Sequence, residues 1–319
     1  MKKILLMGEP MALLIADSYG PLDEVEHFTR SLAGAEVNVA IGLARLGHCP
    51  AYVTRLGEDP FGVFIKKFLD KEKISTDFVS FDSVYRTGIQ LKNKVLEGDP
   101  VAPYYRKGSA ASHLSVSQID DISFDEVVHV HVTGILPALS QSCRLATYRL
   151  LERAKEHNVY ITFDPNLRPA LWKSESEMVQ IINDLASRAD LVLPGVEEGK
   201  ILVGSDDPVK IADYYQSLGV DKVIVKIGKC GAYIRDKKES YTVAGFEVDQ
   251  VIDTVGAGDG FAVGIISGKL EGLSLKDMVL RANAIGAMQV TNISDNEGLP
   301  TTKELDAFMS ANYENSISN

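Results

Sequence analysis

Short apolar, β-branched runs alternate with amphipathic stretches along most of this chain, and that alternation leaves few folds open to it. KKILLMG is followed by VNVAIGLARLG, AYVTRLG by FGVFIKKFLDKEK, and VVHVHVTG (127–134) by SCRLATYRLLERAKEH. The strand VYITFD (159–164) precedes a helix near 174–188. The strands LVLP and KVIVKIG (222–228) then lead to a hairpin at 231–244 and two helices, 257–271 and 274–292. Strands separated by helices are joined by crossovers, so the expected fold class is α/β, with a central, mostly parallel sheet flanked by helices. Two stretches, 11–33 and 84–107, break the pattern with alternating strands that have no helix to cover their outer face. They are expected to form a small β-sheet lid projecting from the domain.

At 319 residues and 45% hydrophobic content, the chain can bury a full core. No repeat or Pro/Ser-rich linker divides it, so residues 1–312 read as one domain and 313–319 as a polar tail. A net charge of -11 without a long Lys/Arg cluster argues against nucleic acid or an anionic membrane as the main partner. The apolar run in MKKILLM ends too early for a signal-peptide core or a membrane span, which suits a cytoplasmic protein. Cys49, Cys143 and Cys230 are far apart and odd in number, and are expected to be reduced, buried thiols. His129 and His131 share one face of a strand at a possible metal spacing, but no third ligand is evident, so packing or hydrogen bonding is expected. Trp172 is expected to pack the loop it follows.

Residues 253–261, DTVGAGDGF, stand between an extended run and a helical one. Gly256, Ala257 and Gly258 therefore fall at a helix N-terminus, where the first N–H groups lack intrahelical partners and the dipole is positive. Such a turn is an anion site, and its small residues let a phosphate approach the backbone. Asp259, in the first helical turn, is expected to be ionised there and able to accept a proton. Spacing alone equally allows a turn that only starts a helix. Phe261 stands where GxGxxG requires glycine, and no GxxxxGK[ST] occurs, so a nicotinamide dehydrogenase and a Walker-type ATPase both lose support.

The run Asp253-Thr254-Val255-Gly256-Ala257-Gly258-Asp259 resembles the D-T-x-G-A-G-D signature of the ribokinase-like, or PfkB, carbohydrate kinases. LAGAEVNVAIGLARLG (32–47) and LGEDPFG (56–62) resemble the N-terminal motif of the same family. The resemblance runs over essentially the whole chain. It implies a ribokinase-like sandwich with a β lid over a sugar site, and transfer of the ATP γ-phosphoryl to a sugar hydroxyl with Mg²⁺ on the phosphates. It leaves activation by K⁺ open, and it implies a homo-oligomer paired through lid strands.

By the same resemblance Asp259 is the base, and the backbone of Gly256, Ala257 and Gly258 is the hole for developing charge. GEPMALLIAD, GPLDEVEHF and YYRKGSAAS are most similar to the branch that phosphorylates 2-keto-3-deoxygluconate, although fructokinases share much of them. Carried over position by position, Gly34 and Asn38 would hold sugar hydroxyls, and Tyr104 and Arg106 the acidic end. Arg168 would bridge sugar and phosphate, and Asp295 would be a further substrate-side acid. Gln90 falls where this branch often has an aromatic hydroxyl. Arginine can grip a carboxylate with two parallel hydrogen bonds, which a neutral ketose cannot exploit; the plainer reading of Arg106 is a solvated lid charge. On the nucleotide side the resemblance points to Lys226, Gly228, Gly231, Asn166, Arg168, Gly256 and Gly258, with Asn283 beside the adenine.

One position departs from the family pattern. The usual Asn-x-x-Glu segment after LVLP reads Gly195-Val196-Glu197-Glu198. Glu198 keeps the acid implied to act indirectly on Mg²⁺, while Gly195 lacks the amide. Gly195 alone favours a nucleotide- or sugar-binding regulator without turnover, whereas intact Asp259 beside intact GAG favours a kinase. Among enzymes, fructokinase is the alternative, and a ribose or nucleoside kinase comes third.

Overall fold

The computed structural model describes residues 2–95, 101–248, 250–292 and 294–317, with side chains to residue 312 in the last segment. Among them the strands are β1 (Lys3–Met7), β2 (Met11–Tyr19), β3 (Phe28–Ala33), β4 (Pro50–Gly57), β5 (Ser75–Asp82), β6 (Ile89–Lys94), β7 (Tyr104–Tyr105), β8 (Val127–Thr133), β9 (Tyr160–Asp164), β10 (Leu191–Val192), β11 (Lys222–Lys226), β12 (Ala232–Arg235) and β13 (Ser240–Val243). The helices are α1 (Ala35–Arg45), α2 (Pro60–Lys71), α3 (Val116–Asp120), α4 (Leu136–Leu139), α5 (Gln141–Glu156), α6 (Glu175–Ala186), α7 (Val196–Leu202), α8 (Pro208–Ser217), α9 (Ala257–Leu270), α10 (Leu275–Gln289) and α11 (Thr302–Ile317).

Nine strands form the main sheet in the order β13-β12-β11-β10-β9-β8-β1-β4-β5. All its pairs from β11 to β5 are parallel, and only the β11–β12–β13 edge is antiparallel. Side chains alternate across a strand, so a strand buried on both faces is apolar at most positions. Leu5, Met7, Val53, Val130, Phe163 and Val225 pack one face beneath α5, α6 and α8. Ile4, Leu6, Tyr52, Leu191 and Ile224 pack the other beneath α1, α2, α9 and α10. Each large side chain buried this way stabilises the fold by roughly 1.5–3 kcal/mol.

Helix α9 is buried along nearly its whole length, from Gly260 to Gly268, which brings its N-terminus into the middle of the molecule. Its glycines four apart make this possible: a Cβ on Gly264 would stand 2.3 Å from the Ala282 Cα, so α9 and α10 touch backbone to backbone. A second sheet, β3-β2-β6-β7, is built from the two stretches that interrupt the alternation. β2 and β6 pair in parallel, with Gln90 opposite Leu13, while β3 and β7 are antiparallel to their neighbours. Part of the 84–107 stretch, residues 96–100, lies outside the described residues.

The expected polar tail begins as the last turns of α11, which runs to Ile317; residues 318–319 lie outside the described residues. Of the three expected buried thiols only Cys143 is buried, and burial pushes it up to about 11. Cys49 is half-buried, and Cys230 is exposed because it stands in a tight turn that closes β11 onto β12 rather than in the core. His129 Nε2 and His131 Nδ1 both meet the Thr162 hydroxyl, at 3.0 and 2.9 Å. Trp172 packs at the core edge, with the Arg144 guanidinium 5.1 Å above its ring. No described helix is long and apolar enough to cross a membrane.

Candidate active site

The chain leaves β1 for β4 and β5 on one side and later builds β8 to β11 on the other. Loops at the carboxyl ends of β1 and β8 therefore part, and open α/β sheets bind ligands in that crevice. A cavity of about 500 Å³ lies there, lined by Glu9 after β1, Ile135 after β8, Asp164 to Arg168 after β9, and the turn before α9. The small sheet supplies Gln90, Lys92 and Tyr104 to it.

Gly256 caps α9 in the left-handed conformation, φ 81°, and a Cβ there would stand 2.4 Å from the backbone oxygen of Asp295. Only glycine avoids both costs. Beyond it the N–H groups of Gly258 and Asp259 have no protein partner among the described residues, so they face the cleft as donors. Asp259 Oδ2 accepts from Asn38 Nδ2 at 2.8 Å, and Oδ1 from Asn166 Nδ2 at 3.4 Å. Asn38 is itself oriented: its Oδ1 accepts from Asn296 Nδ2 at 3.2 Å, which turns its amide NH₂ toward Asp259. Burial pushes the Asp259 carboxyl up to about 7, aided by the nearby Asp164 carboxylate and opposed by the Asn38 bond. An acid expected to be ionised at the helix N-terminus is thus held by burial near neutrality instead of well below it.

Lys226 Nζ sits 2.7 Å from Asp164 Oδ2 and close beneath Gly258. Burial works against its charge, yet the Asp164 and Glu198 carboxylates outweigh that and raise its pKa. Arg168 uses Nη1 on Asn166 Oδ1 (2.7 Å) and the Leu167 carbonyl (2.9 Å). Its other two nitrogens have no protein partner among the described residues. Glu198 Oε2 accepts from the Gly195 N–H at 2.7 Å and Oε1 from the Leu167 N–H at 2.9 Å, and burial raises its pKa. Both oxygens are thus engaged by the backbone, and Gly195 serves as the cap of α7.

Arg106 is buried, neither a solvated lid charge nor an unengaged fork. Its Nε and Nη2 lie 2.6 and 2.5 Å from Glu9 Oε2, and Ser109 donates to the other Glu9 oxygen. The Arg106 guanidinium stands 5.6 Å from the ring centre of the half-exposed Tyr104. Six carboxyl groups and four cations line the cavity. Burial raises four of the six, Glu36, Glu198, Asp259 and Asp295, which moves the cavity toward the charge balance an anionic ligand requires.

A second cleft, about 330 Å³, meets the first at Lys226, Thr254 and Gly258. Its walls are mostly apolar, with Phe246, Val251, Ala287 and Val290, and Gly228 and Gly231 line its rim. Asn283 lines it too, its Nδ2 donating to the Ala244 carbonyl at 2.9 Å. A flat heteroaromatic ring suits such a slot, and its phosphates would reach the turn and Lys226.

Each candidate site residue named from the sequence lines one of the two clefts, and Lys226 and Gly258 line both. Sequence reasoning missed Glu9, Glu36, Lys92, Asp164 and Asn296. Asp164 could have been found as the acid closing the strand VYITFD at a carboxyl end. The others carry no local signal, because their partners are remote in sequence.

The model of the pfkB family carbohydrate kinases matches residues 1–302. A 2-dehydro-3-deoxygluconokinase of Bacillus subtilis (strain 168) is 48% identical over 305 residues, covering 95% of this chain and 94% of its own length. The crystal structure of a PfkB protein from Polaromonas sp. JS666 matches with a TM-score of 0.89 and 44% identity, over 96% of this chain and 100% of that one. A fructokinase from Vibrio cholerae O395, solved with fructose, ADP and a calcium ion, matches with a TM-score of 0.86 and 29% identity, over 97% and 99%. The chain, with its ribokinase-like fold, belongs to the pfkB family of carbohydrate kinases.

Proposed function

We propose that this kinase phosphorylates 2-keto-3-deoxygluconate, the same sugar acid as 2-dehydro-3-deoxygluconate, on its 6-hydroxyl. One observation carries the reading: Asp259, with a pKa near neutrality, lines a polar cleft containing two arginines, next to Gly258 where that cleft meets an apolar one suited to a nucleotide. The 48% identical relative of that name supports the choice of sugar.

Asp259 takes the proton of the attacking hydroxyl, and the Asn38 and Asn166 amides hold the carboxylate toward it. The N–H groups of Gly258 and Asp259, with Lys226, stabilise charge at the turn. Arg168, with two nitrogens turned to no protein group, is placed between sugar and phosphate. Tyr104 and the remaining edge of Arg106 face the acidic end of the sugar, while Gly34 and Gln90 line its path. ATP, when bound, supplies the phosphoryl group, and its Mg²⁺ offsets phosphate charge. The residues fit this pair: Gly228, Gly231 and Asn283 frame the ring slot, and Glu198, oriented by backbone N–H groups on both oxygens, would serve Mg²⁺ through its water shell.

Coupled ADP release across 2-keto-3-deoxygluconate, fructose and ribose tests the reading. The highest kcat/KM is expected for the acid, and a clear preference for fructose overturns the choice. Fructokinase is the second reading because Glu9 already neutralises Arg106. The charge state of Asp259 adds a pH prediction. Below its pKa of about 7 the carboxyl is protonated and cannot act as base, so kcat/KM should fall about tenfold per pH unit on the acid side. A rate flat from roughly pH 5 to 8 would contradict Asp259 as base.

A further inference from the structure

Lys92 lies on β6, paired with Ile15 of β2, and so belongs to the small sheet. Its ammonium leaves that sheet to meet two carboxylates at the base of the catalytic turn, Asp253 Oδ2 at 2.6 Å and Asp295 Oδ1 at 3.0 Å. All three side chains are nearly shut off from solvent, at 4%, 9% and 5% exposure. Both carboxylates touch the turn again through other atoms. Asp253 Oδ1 accepts the Val255 N–H at 2.9 Å, and the Asp295 carbonyl abuts Gly256. Gln289 Nε2 completes the frame, donating to Ser294 O at 2.7 Å and Val255 O at 3.4 Å. The turn is thus held from two sides by acids whose shared counter-charge comes from the lid.

We propose that Lys92 is a positioning residue for phosphoryl transfer: its ammonium clasps the small sheet to Asp253 and Asp295, and holds the 256–259 turn in register when the sheet is seated over the sugar. This rests on the reading of that turn as the phosphoryl site. Without the ammonium, Asp253 and Asp295 become two buried like charges, and the frame around Gly256 relaxes. Even a displacement on the order of 1 Å at such a site lowers turnover by about 10²-fold.

The test is Lys92→Ala, with kcat and KM for both substrates, a thermal melt, and added ammonium or methylammonium ions. A folded variant should lose about 10²-fold in kcat and regain several-fold with either small ion, while tetramethylammonium restores nothing and wild type gains nothing. Lys92→Arg, which keeps the charge, should retain more of the activity than Lys92→Ala. Selective rescue marks positioning, because a general loss of packing would not respond to a small cation. A folded Lys92→Ala enzyme with kcat within about threefold of wild type overturns the proposal, as does a loss that neither small ammonium ions nor Lys92→Arg repairs. If Lys92→Ala does not stay folded, Lys92→Gln, which keeps most of the side chain without the charge, carries the test, and wild-type kcat in that folded variant overturns it equally. Wild-type activity on the sugar panel is measured in the same series. Failure on 2-keto-3-deoxygluconate strikes only the choice of substrate, and the Lys92 test then runs on whichever sugar is phosphorylated.

Discussion

Asp259→Asn is expected to lower kcat by roughly 10²–10⁴-fold while leaving ATP binding intact. The substitution is nearly isosteric, and its amide oxygen can still accept from one of the Asn38 and Asn166 amides that hold the carboxylate. What disappears is the capacity to take a proton at neutral pH. The ring slot formed by Phe246, Val251, Ala287 and Val290 is untouched, so the nucleotide Kd from calorimetry should be unchanged or tighter. Steady-state turnover measured beside that Kd separates the roles. A variant keeping more than about a tenth of wild-type kcat would remove Asp259 from proton transfer.

Gly256→Ala should lower kcat by about 10²–10³-fold, the range found when one donor of an anion hole is lost. Two costs coincide at this position. Alanine in the left-handed region is disfavoured by about 1–2 kcal/mol, and its methyl carbon would lie 2.4 Å from the Asp295 carbonyl oxygen. The backbone escapes both by rotating, which turns the N–H groups of Gly258 and Asp259 away from the charge they are placed to meet. Because the strain is confined to one turn, the melting temperature should fall far less than would explain the lost rate. A folded Gly256→Ala enzyme with near wild-type kcat would show that backbone donors at this turn contribute little.

The central sheet was legible because burial on both faces forces a period that is visible locally: Leu5 and Met7 go one way, Ile4 and Leu6 the other. Helices α9 and α10 begin and end within a few residues of expectation, since Gly256 and Ser274 mark their starts. The helices α7, α8 and α11 were not singled out; α7 is short and α11 weakly amphipathic. Pairing in the small sheet was invisible in register, because β2 and β6 meet across more than half a hundred residues and nothing in either strand names its partner.

At the site the turn carried its own signature, whereas its supports did not. Asn38 reaches Asp259 across 221 positions, Asn296 reaches Asn38 across 258, and Arg106 reaches Glu9 across 97. The family resemblance implied that Asn38 holds sugar hydroxyls and that Arg106 meets the acidic end of the sugar. Three-dimensional placement shows that each already holds a protein acid. The raised pKa of Asp259 was not legible for a related reason: a helix N-terminus can be read from a local pattern, but depth of burial cannot.

The backbone contact between α9 and α10 has a further consequence. A helix enclosed by the core and pressed against its neighbour through glycine has no room to slide, so the machinery for moving phosphoryl groups is built onto a tightly enclosed helix. The small sheet has no such enclosure and touches that machinery through a few side chains. Apart from Lys92, its residues can therefore be exchanged with little disturbance to the floor below, so that a change of sugar and a change of chemistry are separable.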